Sequence, residues 1–137
     1  MDASRFKFRA WNKKHKFMDD DFFLHADGRI FDRAAITFDT PHTEIEPAED
    51  FIIMQFTGLH DKNGKEIYEG DILHCGWDVG PTFGHQSFNV IFEEGEFRYD
   101  AVDGSGWMRW EDLFEPEIIG NIYKKPELLE GSCNSKS

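Results

Sequence analysis

Residues 54–72 read MQFTGLHDKNGKEIYEGDI. The front of this run completes an apolar segment, Phe51 to Phe56, in which Ile52, Met54 and Phe56 alternate toward one face, the pattern of a half-buried strand bounded by Thr57-Gly58. Asp61-Lys62-Asn63-Gly64 then predicts a tight turn, because Asn63-Gly64 suits positive φ. The chain returns through Glu66 to Tyr68, reverses again at Glu69-Gly70, and enters a strand from Asp71 to Cys75. Asp71 is placed to cap that reversal by accepting backbone N–H bonds. Gly58, Gly64, Gly70 and, further on, Gly120 sit where chain reversal or close backbone approach calls for glycine. The whole block reads as turn chemistry.

Upstream, Arg5 to Ala10 has a period of two, with Phe6, Phe8 and Ala10 on one face and Arg5, Lys7 and Arg9 on the other. Asn12 to Lys16 is a polar turn before a return at Phe17-Met18, and Asp27-Gly28 sits between Phe22-Phe23-Leu24 and Ile30-Phe31 as a hairpin signal. Ala34 to Phe38 suggests a further short element, and Thr40 to Asp50 a loop. Downstream, residues 76–84 read as a loop rich in Gly and Pro. Ser87 to Phe92 and Glu96 to Tyr99 flank Glu94-Gly95 as a second hairpin. A flexible Asp103 to Gly106 stretch precedes Trp107, Glu111 to Phe114 suggest one helical turn before Pro116, and Ile118 to Tyr123 form the last strand. Residues 131–137 should fray.

No long 3.6-residue period and no repeat occur, so the class is mainly β. The expectation is one compact β-rich unit with an N-terminal β-hairpin lobe (1–50), a lobe like the Src-homology-3 small barrel (51–130) and a disordered tail (131–137). That barrel likeness carries no function by itself.

The 137 residues are 39% hydrophobic and 15% aromatic, which argues for a packed core despite 31% charged residues. The net charge of −12 is uneven: residues 1–17 carry +5 and the other 120 carry −17. So acidic a chain repels a phosphate backbone, and general nucleic-acid binding is not expected. The N-terminus lacks a signal-peptide apolar run, no stretch has bilayer length, and Cys75 and Cys133 suggest no disulfide framework, so a cytoplasmic setting without membrane contact is expected.

The chemical candidates are few. Asp61 opens what resembles a calcium loop, but position twelve is Ile72 where a bidentate Glu is required. His74, Cys75 and His85 are close in sequence, yet neighbouring strand residues face opposite ways, so neither metal nor cofactor is expected. Ser105 in Gly-Ser-Gly lacks the Gly-x-Ser-x-Gly elbow. An interface reading attaches to Trp107, Met108, Arg109 and Trp110, since these residue types are enriched at protein contacts. Alternation would send Trp107 and Arg109 one way and Met108 and Trp110 the other, so core and surface roles both stand.

Three blocks together resemble the YopX family of phage and prophage proteins: Phe8 to Asn12 followed by Met18, the run from Met54 to Ile72, and Ile119 to Tyr123 with Pro126 to Leu129 behind it. Asn12, Phe56 and His60 stand where Asp, Tyr and Lys are common in the family. The resemblance implies a small, largely β protein of a bacterial host cell, and it supplies no activity and no catalytic residue to carry over. The expectation is therefore a non-enzymatic module that binds another protein or its own copies, with Arg5, Lys7 and Arg9 as a second contact candidate. An acidic decoy face for a host nucleic-acid-binding protein is the alternative, drawn from Asp19, Asp20, Asp21, Glu44, Glu46, Glu49 and Asp50. Weak nucleic-acid binding through the basic N-terminal strand is the third.

Overall fold

The computed structural model describes residues 7–19, 22–24, 30–32 and 51–129. The expected Ala34–Phe38 element, the 40–50 loop and the 131–137 tail with Cys133 lie outside them. The chain is mainly β, and it divides into two compact units, Phe8–Met54 and Met1–Lys7 with Gln55–Ser137.

In the Phe8–Met54 unit, β1 (Phe8–Asn12) and β2 (Phe17–Asp19) form an antiparallel hairpin with Asn12 opposite Phe17. Asn12 is buried, and its side-chain oxygen accepts the backbone N–H groups of Lys14 and His15, which bends the basic turn without glycine. Ala10 and Phe51 form a small buried cluster with Ile53 against it. β3 (Phe22–Leu24) pairs with β4 (Ile30–Asp32) in the register expected of a hairpin; the Asp27-Gly28 turn lies outside the described residues.

The division between the units falls inside β5 (Phe51–His60). β5 runs past the expected stop at Thr57-Gly58. Gly58, at φ 88, is not a strand end but part of a register shift between Phe56 and His60, where β5 pairs with β6 (Glu66–Tyr68). The Asp61–Gly64 turn is as expected, with one correction. Only Gly64 has positive φ (86); Asn63 does not, because the Asp61 carboxylate holds the Asn63 and Lys65 N–H groups at 2.9 Å while Gly64 N–H closes on the Asp61 carbonyl.

A further sheet carries the main core. Its order is β10-β9-β8-β7-β11, built from β7 (Asp71–Val79), β8 (Thr82–Glu93), β9 (Glu96–Ala101), β10 (Trp107–Met108) and β11 (Leu113–Asn121). The order is compatible with the small-barrel arrangement expected for this half. Residues 76–84 are not a loop. β7 and β8 pair without a break from Ile72↔Asn89 to Val79↔Thr82, leaving only Gly80-Pro81 as the turn. The strand glycines, which in sequence resemble loop signals, make room for rings: Phe114 lies over Gly76 and Trp77 over Gly84. Glu94-Gly95 is the expected hairpin turn, both residues having positive φ. The helical turn is a 3₁₀ turn at Trp110–Asp112, and the last strand starts at Leu113, so Pro116 lies buried inside it next to a bulge.

One face of this sheet packs Leu73, Cys75, Phe88, Val90, Tyr99 and Ala101 with Ile67, and Met108, Trp110, Leu113 and Ile118 close over them. Gly70 braces the margin: its N–H donates to Val90 and its carbonyl accepts from Ile122. Asp71 accepts the Tyr68 N–H at 2.8 Å, as expected of a cap. Gly120 is no turn; it lies in β11, where an added Cβ would come within 2.7 Å of Leu128 Cδ1.

The most exacting contact is that of Asp61. Its Oδ2 accepts the Ile118 N–H from β11 at 3.0 Å, and the neighbouring Lys62 N–H donates to the Pro116 carbonyl at 2.8 Å. Burial by itself raises the carboxyl's pKa, but the backbone donors Ile118, Lys65 and Asn63, with the charge of Lys65, outweigh it and hold the value below the ordinary 3.8.

Gly64→Val should lower stability by about 1–2 kcal/mol in a thermal melt; the cost is backbone strain alone, since an added Cβ meets nothing within 4 Å. An unchanged melt would mean that Gly64 does not hold positive φ in solution. Asp61→Asn should cost about 2–4 kcal/mol at neutral pH, because one buried acceptor becomes an amide donor facing N–H groups. A carboxyl with a depressed folded pKa stabilises above its unfolded value and loses that contribution as pH falls through the folded one. The gap between wild type and Asp61→Asn should therefore close below about pH 4. A gap constant from pH 7 to pH 2 would refute this account of Asp61.

Candidate functional site

The end of the long β7–β8 hairpin and the short β10 strand border an open groove of about 430 Å3, lined by Trp77, Val79, Thr82, Trp107, Met108, Arg109 and Asp112. Each wall follows from strand register. Trp77 faces Gly84 across the hairpin, so its indole lies flat over a residue without a side chain, and Val79 faces Thr82 at the tip. Val79 is exposed, and Phe83 beside the tip is 77% exposed.

The other wall depends on the stretch before Trp107. Asp103 to Gly106 is not a loose linker: Asp103 accepts the Ser105 N–H at 2.9 Å, Gly104 N–H donates to Ala101, and Ala101 N–H donates to Gly106. The Ser105 hydroxyl and N–H bonds hold the Asp103 carboxyl below its usual range, against a smaller effect of burial. This turn sets Trp107 opposite Asp100 and Met108 opposite Tyr99. Trp107 is then 43% exposed and Arg109 is exposed, while Met108 and Trp110 pack against the core, the indole of Trp110 lying 5.8 Å from the Tyr99 ring.

Two guanidinium groups flank the Trp107 indole. Arg98 Cζ is 4.8 Å and Arg109 Cζ 5.6 Å from the ring centroid, both within cation–π range. Arg98 also pairs with Glu93 at 3.1 Å, whereas Arg109 makes no ion pair among the described residues. Two buried donors here have no hydrogen-bond partner, Trp77 Nε1 and Arg98 Nε.

A second, smaller concavity of about 160 Å3 gathers Lys62, His74, Cys75, Gly76, His85, Phe114, Glu115 and Glu117. His74, Cys75 and His85 all line it, yet they are not equivalent. Cys75 is buried, and burial pushes its thiol up to about 12, so it stays protonated. His74 is exposed with Nδ1 3.4 Å from Ser87 Oγ, and His85 stands edge-on to Phe114. No group of three or more His, Cys, Asp or Glu among the described residues is placed to hold a metal ion.

Arg5, Asp20, Asp21, Glu44, Glu46, Glu49 and Asp50 lie outside the described residues. Lys7 is ion-paired with Glu66 and sits 5.5 Å over the Phe56 ring; that contact pulls the Glu66 carboxyl below its usual range. Arg9 is half-buried in β1, and Asp19 is half-buried at the end of β2. Trp77, Val79 and Phe83 were missed because Gly and Pro masked the hairpin. The signal was present in the alternation of Thr82, Gly84, Gln86, Phe88 and Val90 against Phe83, His85, Ser87 and Asn89.

The family model described as YopX protein matches residues 7–130. The chain belongs to the YopX family. Among solved structures it is similar to protein EF1440 from Enterococcus faecalis, with 26% identity and a TM-score of 0.59 over 90% of this chain and 97% of the other. It is also similar in fold to yopX from Bacillus subtilis, with 24% identity and a TM-score of 0.60 over 90% and 95%. No curated protein matches the chain. No helix among the described residues is long and apolar enough to cross a membrane.

Gly84→Val should push Trp77 out of its seat, since an added Cβ alone would lie 3.1–3.2 Å from three indole atoms. A stability loss of about 1–3 kcal/mol in urea unfolding is expected. An unshifted urea midpoint would mean that the indole does not lie across Gly84.

Proposed function

We propose that this YopX-family chain is a non-enzymatic protein-binding module whose contact surface is the groove between the β7–β8 tip and β10. The observation that carries the reading is the exposed Trp107 between Arg98 and Arg109, with Val79 and Phe83 exposed at the adjoining tip. Trp and Arg in a concave, mostly apolar setting are the usual anchors of protein contacts. The partner is another protein or a second copy, met inside a bacterial cell that carries the phage or prophage.

The nucleophiles and bases support a role without catalysis. The Ser105 hydroxyl bonds the Asp103 carboxylate and accepts from the Gln86 amide at 3.4 Å, and the Cys75 thiol is kept protonated by burial. The basic-strand reading is weakened because Lys7 is already paired with Glu66.

Affinity capture from bacterial lysate, with sedimentation velocity of the purified protein alongside, tests the proposal. The wild type should retain a protein partner or form a larger self-assembly. A Trp107→Ala, Arg109→Glu double variant with an unchanged melt should lose it. Equal retention by both proteins, with both monomeric, would exclude this groove as the contact surface.

A further inference from the structure

The charge around the groove is unlike that of the chain. Between Glu66 and Tyr123 there are thirteen acidic residues and only two basic ones, Arg98 and Arg109. Both lie against one ring, that of Trp107, although eleven positions separate them in sequence. Two buried donors near the groove, Trp77 Nε1 and Arg98 Nε, have no hydrogen-bond partner, and neither has the acceptor Asp100 Oδ1 opposite Trp107. Arg98 is partly neutralised by Glu93, which leaves Arg109 as the exposed cation with no ion-pair partner among the described residues. Asp112 on the rim is the one carboxylate in the lining.

Resting on the protein-binding reading above, we infer that the groove takes an acidic segment of a partner protein. The segment seats one large apolar side chain between Trp77 and Trp107 and presents an adjacent carboxylate to Arg109. Three physical arguments converge on that occupant. The apolar lining of Trp77, Val79, Met108 and Trp107 accepts a hydrophobic side chain, and about 430 Å3 holds one or two such groups. The Arg109 guanidinium in the lining, which has no ion-pair partner among the described residues, favours a carboxylate on the ligand. The chain's many acids repel such a ligand only weakly at this spot, because beyond about 8 Å physiological salt screens exposed charges while contact pairs survive. A nucleic-acid strand stacking on Trp107 would satisfy the cation, but it would bring phosphates toward Asp112 and leave the apolar wall of Val79 and Met108 without a matching group.

Fluorescence anisotropy with three labelled probes decides among these. One is a pool of short peptides with Asp and Glu around a single Leu, Phe or Trp; the second replaces the acids with Lys and Arg; the third is a single-stranded oligothymidylate. The acidic pool should bind the full chain, at least about tenfold more tightly than the basic pool, and more weakly as salt rises. Arg109→Glu, an exposed change that leaves the melt intact, should weaken that binding at least about tenfold. Trp107→Ala should weaken it as well. Tighter binding of the basic pool, lost in Trp107→Ala, would overturn the acidic occupant while leaving the groove a protein-binding surface. Tighter binding of the oligonucleotide, lost in Arg109→Glu, would overturn both. Acidic-pool binding indifferent to Arg109→Glu, or no binding by either peptide pool, would also overturn the inference, and retention of a partner in the capture experiment would then show that the groove reading survives it.

Discussion

The carboxylate of Asp61 joins a local turn to a distant strand. Its Oδ1 organises residues 61–65 by accepting the Asn63 and Lys65 N–H groups, and its Oδ2 accepts the N–H of Ile118 in β11. Lys62 adds a backbone bond to Pro116. The outer margin of β11, which would otherwise present open backbone groups at the end of its sheet, is thereby covered by the β5–β6 turn, with Pro116 and a bulge breaking its regularity. Gly70 does the same one turn later, tying β8 to Ile122. The stretch that reads in sequence as a string of turns is therefore also the brace of the main sheet.

With one margin covered, Trp107 and Arg109 lie at the opposite margin of the sheet and Val79 and Phe83 at the hairpin tip. β10 is two residues long, held by the Asp103–Gly106 turn, and the 3₁₀ turn after it folds Trp110 back onto Tyr99. Trp107 and Arg109 are left facing outward because their alternate partners, Met108 and Trp110, are drawn into the core. Arg98 reaches the same indole from β9. An acidic chain thus places the two bases of its central stretch on one aromatic ring beside an apolar groove.

Much of the fold was legible in local chemistry. Glu94-Gly95 and Asp61–Gly64 are turns because few residues accept positive φ, and the period-two runs around them are strands because one face is buried. The inward and outward division of Trp107 to Trp110 also followed from alternation. The β7–β8 hairpin did not, because Gly76 and Gly84 look like breakers until Phe114 and Trp77 are seen lying across them. Pro116 likewise looked like an end to structure, whereas Asp61 and Lys62 meet the backbone groups around it.

The sequence by itself determined the β class, the turn positions, the family and the local in–out pattern, since each depends on a few adjacent residues and their backbone preferences. Tertiary structure alone decided that Asp61 would bond Ile118, 57 positions away, and that Arg98 and Arg109 would meet on Trp107. Those pairings depend on strand order and register, and register is set by the whole buried face rather than by any one segment.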